Sequence, residues 1–231
     1  SYLRAQSGTG RPPESPYSLA VLFRKKPYDR STTLAAADKA RGRGSIRKAV
    51  LAYSLILAQD PEDHQVHARI APLLAKMRRW KEARASFDAA GQGLLKAGFN
   101  DKAIAVWTVA AHHFPEDVEY WERIANENVH RGRKADAIKS LLEGRSMLRT
   151  RRQRPLAILL LRQVLSLQPI HFETTLDLAR LLSAEGDKAE ASKLLENLRR
   201  YAHGHNVRRL RAAQFRMAPG FRAAIAWIAG R

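Results

Sequence analysis

The sequence predicts an all-α chain, a solenoid of antiparallel helix pairs with about 11–12 helices. Three observations predict it. Apolar residues recur three and four apart along most of the chain, the spacing of a single helical face. Glycine and proline fall at regular intervals. Segments tens of residues apart align at fixed offsets, which marks a repeat architecture.

The elements follow in order. Residues 1–27 contain Gly8, Gly10, Pro12, Pro13, Pro16 and Pro27, with helical period only at 19–23. An extended arm or linker is expected there, assigned to residues 1–29. Helices are then expected at 31–43, 46–59, 63–77, 80–98, 100–114 and 117–131, and next at 134–149, 152–167, 171–184, 188–203 and 206–217. Three of them share one signature. Ala49 is followed by Tyr53 and Pro61, Ala103 by Trp107 and Pro115, and Ala157 by Leu161 and Pro169. The small alanine lets a neighbouring helix approach. The large residue four positions on lies on the same face. The proline cannot continue the helix and sets the turn into the next. The remaining signature aromatics, Phe87 and Trp121, are expected in the core, as are Trp80 and Trp227. Tyr201 and Phe215 are also read as packed. A last helix near 219–229 follows Pro219-Gly220 and aligns Phe221, Ile225 and Ile228. Residues 204–231 are therefore read as capping helices that close the open end of a solenoid spanning 30–203.

This pattern resembles the tetratricopeptide repeat, a 34-residue helix–turn–helix unit. A unit from Arg30 supplies Ala37, Gly44, Ala49, Tyr53 and Pro61. A unit from Val118 supplies Trp121, Ile124, Ala125, Gly132 and Ala137. A unit from Phe172 supplies Leu178, Ala179, Gly186, Ala191 and Leu195. The resemblance covers about residues 30–200 and implies a right-handed superhelix with a concave groove for a peptide or a partner's helix. It also implies which side chains line that groove: Arg69 and Lys76, then Glu122, Asn126 and His130, then Glu173 and Arg180. The carboxylate clamp of some members is not matched, because Leu34 and Asp38 stand at its positions.

The rhythm departs from a plain 34-residue step. Residues 64–117 align with 118–171, a period of 54, pairing Ile70 with Ile124, Ala83 with Ala137 and Pro115 with Pro169. Each such unit is expected to hold three helices; the alternative is that the intervening 20-residue steps are degenerate repeats that have lost their glycine and proline punctuation. In the three-helix unit the middle helix, 80–98 or 134–149, serves both neighbours. An odd helix count reverses which helix lies inward in the next block.

The net charge of +19 is uneven: +8 over residues 1–50, zero over 101–150 and +9 over 151–231. Basic ends attract nucleic acid, an anionic surface or an acidic protein. The basic-patch candidates are Arg41, Arg43, Arg47 and Lys48, then Arg149, Arg151, Arg152 and Arg154, then Arg199, Arg200, Arg208, Arg209 and Arg211, with Arg24-Lys25-Lys26 nearby in the arm. Cysteine is absent, which excludes disulfides and thiolate metal sites and fits a reducing compartment. His64 and His67 are the one histidine pair at helical ligand spacing, and they lack a converging third ligand. No catalytic constellation, metal site or cofactor site is read. The expectation is a soluble, cytoplasmic, non-catalytic scaffold or adaptor within a larger assembly. The alternatives are a nucleic-acid or ribonucleoprotein binder using the basic ends, and an accessory subunit of an enzyme or membrane-associated complex.

Overall fold

The computed structural model describes residues 28–217, which form eleven α-helices and one 3-10 turn, with no strand among the described residues. The helices are α1 (Arg30–Gly42), α2 (Ile46–Gln59), α3 (His64–Lys76), α4 (Trp80–Lys96), α5 (Asn100–His113) and α6 (Val118–His130). They continue as α7 (Lys134–Met147), α8 (Arg154–Leu167), α9 (Phe172–Glu185), α10 (Lys188–Arg199) and α11 (His205–Met217). Residues 1–27 of the expected arm, with the Arg24-Lys25-Lys26 run, and the last capping helix with Trp227 lie outside the described residues; the arm's last two residues, Tyr28 and Asp29, lead into α1.

Local chemistry places the helix ends. Asp29 caps α1 by accepting from the amides of Ser31 and Thr32, and Asp63 caps α3 through Gln65 and Val66. Gly186 ends α9 at φ 101°, a left-handed conformation that glycine adopts without cost. The equivalent residue after α3 is Arg78, held at φ 60°. Three helices, α4, α7 and α10, stop two or more residues earlier than the sequence suggests, α7 at Met147. α4 ends at Lys96, where Gly98 turns the chain at φ 78°. α10 ends at Arg199, where the chain closes into tight turns through Tyr201 to Leu198 and Ala202 to Arg199. The start expected at 152 is a 3-10 turn, Arg151–Gln153, that runs into α8.

Every helix packs on the next. Polar contacts also join helices two apart, and these define two layers. In the odd layer, Arg69 of α3 meets Asp38 of α1 at 2.8 Å, His112 of α5 meets Glu143 of α7 at 3.0 Å, and Arg145 of α7 meets Asp177 of α9 at 2.7 Å. In the even layer, Arg123 of α6 meets Asp88 of α4 at 2.7 Å, Gln163 of α8 donates to Glu122 of α6, and Arg162 of α8 meets Glu190 of α10 at 2.7 Å. The most extensive backbone contacts between helices two apart join α3 with α5, α6 with α8 and α9 with α11. Those are the first and third helices of three successive 54-residue units. The middle helices α4 and α7 each pack on both neighbours.

The signature residues fill the space between the layers. Tyr53, Phe87, Trp107 and Trp121 are buried, with Ala37, Ala49, Ala83, Ala103, Ala137, Ala157 and Ala191 fully enclosed at the close approaches. Two aromatic expectations are corrected. Trp80 is 47% exposed, because it opens α4 at the first turn and only its edge reaches Phe114, 5.8 Å away. Tyr201 is 52% exposed, because α10 has already ended.

Candidate functional site

The grooves follow from the layers. Where α3 and α5 converge beside α1, the odd layer leaves a groove of about 730 Å³. Its floor is apolar, with Ala68, Pro72 and Leu73 from α3, Leu94 from α4 and Val106 from α5. Its rim is cationic, with Arg41, Arg69, Lys76 and Lys102. One carboxylate organises half of this rim. Asp38 accepts from the Tyr53 hydroxyl at 2.6 Å and from Arg69 at 2.8 Å, and lies 3.3 Å from Arg41. Burial of Tyr53, reinforced by that hydrogen bond, pushes its phenol up to about 12, so the hydroxyl stays a donor. Two guanidiniums therefore share one anion.

The other half of the rim has no counter-ion. Lys76 and Lys102 make no ion pair among the described residues, and the Lys102 ammonium sits 4.5 Å above the exposed Phe99 ring. The field of Lys76 is felt nearby. Burial, and then the Lys76 charge, hold His113 below the ordinary histidine range.

A second groove of about 720 Å³ lies between α9 and α11, also in the odd layer. Leu176, Ala179, Ala212 and Ala213 make its floor, and Arg180, Arg208, Arg209 and Arg216 its rim. Arg209 pairs with Glu173 and leans over Phe172 at 5.7 Å. That pairing holds Glu173 below its usual range. Arg180 pairs with Asp177 at 2.7 Å, and the same carboxylate binds Arg145. Arg208 makes no ion pair among the described residues, and Arg216 donates only to the Ala212 carbonyl at 3.3 Å.

The structure thus separates the expected groove residues into three sets. Arg69 and Lys76 line the first groove. Glu173 and Arg180 line the second. Glu122, Asn126 and His130 stand on α6 in the even layer, where Glu122 is tied to Gln163 of α8. The basic-patch residues also divide. Arg41 belongs to the first groove, and Arg208 and Arg209 to the second. Arg43, Arg47 and Lys48 are exposed around the α1–α2 turn. Arg149, Arg151 and Arg152 project from the α7–α8 turn, which Gln153 fastens by accepting from the amides of Arg149 and Thr150 at 3.0 Å. Arg154 pairs with Glu185 and Arg199 with Glu196. Arg200 is exposed and Arg211 half-buried. Phe99 and Lys102 were not singled out from the sequence. Alignment within one helix pair does not show that the α4–α5 turn bends back over α3.

Among the described residues, no group of three or more histidines and carboxylates is placed to hold a metal ion. His67 instead bonds the Pro61 carbonyl at 2.8 Å. No helix among those residues is long and apolar enough to cross a membrane.

A family model described as a tetratricopeptide repeat matches residues 148–213. No curated protein matches the chain. Among solved structures, YrrB, a TPR protein with an unusual peptide-binding site, is 12% identical, with 90% of this chain and 96% of that one covered and a TM-score of 0.32. The Rap conjugation gene regulator of the plasmid pLS20, in complex with the Phr* peptide, is 15% identical at a TM-score of 0.40; 85% of this chain is covered, and it spans 61% of that longer one. MamA is 14% identical, with 70% and 91% covered and a TM-score of 0.29.

Proposed function

We propose that this chain, a tetratricopeptide-repeat protein, is a non-catalytic scaffold that holds a segment of another protein within a larger assembly. The observation that carries the reading is the groove of α1, α3 and α5. An apolar floor supplies the burial that drives association, and a rim of cations supplies orientation. Rigid helices from one layer form its walls, so little ordering is needed before a ligand enters. Part of the groove's polar rim is tied together, as Asp38 is to Tyr53 and Arg69, while Lys76 and Lys102 stay without a counter-ion among the described residues. That arrangement suits recognition of a surface and offers no nucleophile with an adjacent base.

The test is affinity capture with the intact chain, with a Lys76→Glu/Lys102→Glu variant, and after nuclease treatment. A protein partner should survive nuclease and be lost with the variant. A partner that leaves on nuclease treatment, with capture falling steeply as salt rises, would instead place nucleic acid on the basic surface and sink the scaffold reading.

A further inference from the structure

The two grooves of the odd layer occupy the same register of the repeat. Gln65, Ala68, Arg69, Pro72 and Ala105 of the first groove are replaced 108 residues later by Glu173, Leu176, Asp177, Arg180 and Ala213 of the second. That interval is two 54-residue units. The physical cause is parity. A unit of three helices inverts the layers, so the unit of α6, α7 and α8 turns its equivalent face the other way. Two units make six helices and restore the layer. Each site keeps an apolar floor and an excess of rim cations, although single positions change role: Pro72 of the first floor is replaced by Arg180 of the second rim, and Ala68 by Leu176.

We propose that the chain is a bivalent receptor through one helix layer, taking two acidic amphipathic segments at once, one in each groove. The occupant follows from charge and shape. Lys76 and Lys102 at the first groove, and Arg208 and Arg216 at the second, have no carboxylate partner among the described residues. A segment with leucine-like residues on one side and glutamate or aspartate on the flanks supplies what each floor and rim lack. Because both grooves lie in the odd layer, a partner carrying two such segments joined by a long enough linker engages both, and its second contact becomes intramolecular.

This proposal rests on the scaffold reading, and the experiment separates the two. The probe is a synthetic peptide with leucine and glutamate at helical spacing, titrated calorimetrically into the intact chain. A control peptide carries lysine in place of glutamate. The expected stoichiometry is two peptides per chain, with no binding of the control. Lys76→Glu/Lys102→Glu leaves one site, Arg208→Glu/Arg216→Glu leaves one site, and the combined variant leaves none. A tandem probe with a long Gly-Ser linker binds at least about a hundredfold more tightly than the single peptide. All four substituted side chains lie on the surface, and helical content by circular dichroism checks that each variant is folded. One peptide per chain, lost only with the Lys76 and Lys102 pair, overturns bivalency and leaves the scaffold reading standing. No binding of the glutamate peptide, with polyuridylate held by the same four cations, overturns both.

Discussion

Replacing Gly91 by alanine tests the close packing that the repeat depends on. Gly91 lies inside α4, facing α5. A Cβ built there falls 2.0 Å from the indole nitrogen of Trp107 and 2.5 Å from its Cε2, where ordinary contact starts near 3.4 Å. The indole must move by more than an ångström, yet Trp107 is 4% exposed and enclosed by the core. Overpacking of this kind costs ~1–3 kcal/mol, and the depth of the collision puts Gly91→Ala at the upper end. Alanine returns ~1 kcal/mol of helix propensity in a helix interior, leaving a net destabilisation of about 2 kcal/mol. Urea unfolding followed by circular dichroism measures it, with hydrogen exchange across α4 and α5 as a local readout, since repeat arrays unfold regionally. The decisive comparison is the double variant. With Trp107→Leu the collision disappears and only the helix gain remains, so Gly91→Ala should then stabilise by up to ~1 kcal/mol. If Gly91→Ala destabilises equally in both backgrounds, or stabilises the wild-type chain, the steric account is wrong.

Three further outcomes are expected. Arg78→Gly relieves a left-handed conformation that costs a side-chain-bearing residue ~1–2 kcal/mol; after the entropy glycine adds to the unfolded chain, a gain of ~0.5 kcal/mol should appear as a higher melting temperature, and a lower one refutes it. His113 titrates below the ordinary histidine value because burial and Lys76 disfavour its charge. Its folded pKa is depressed, so its contribution to stability is complete above about pH 6.5 and is lost as pH falls through the folded value; an NMR titration should show this, and Lys76→Gln should move the midpoint up. Asp63→Ala removes the α3 cap, its amide acceptors and the partner of Arg30, and should cost ~1–2 kcal/mol in urea unfolding; Asp63→Asn keeps the cap and should cost less than half as much.

Much of the fold was legible before any coordinates. Ala49, Tyr53 and Pro61 announce a helix, its close neighbour and its end through local rules of spacing and backbone geometry. The same holds for Ala103, Trp107 and Pro115. Trp80 escaped the same rules because burial at a helix start depends on what crosses in front of it. Tyr201 escaped them because a helix that stops a few residues early changes which way its last side chains point.

The candidate site divides along the same line. Arg69, Lys76, Glu173 and Arg180 are groove candidates by repeat position, and each lines one of the two cavities, since position within a helix pair fixes which side chains leave the core. That these four split between two grooves, while Glu122, Asn126 and His130 face the opposite way, depends on the running count of helices between them. The sequence by itself determined the helices, their 54-residue rhythm and the basic character of the ends, all properties of neighbouring residues along the chain. Only the tertiary structure decided where cations gather without partners. Lys102 and Phe99 reach the α3 groove, and Arg208 and Arg216 the α9 groove, only once separate helices have packed into one layer.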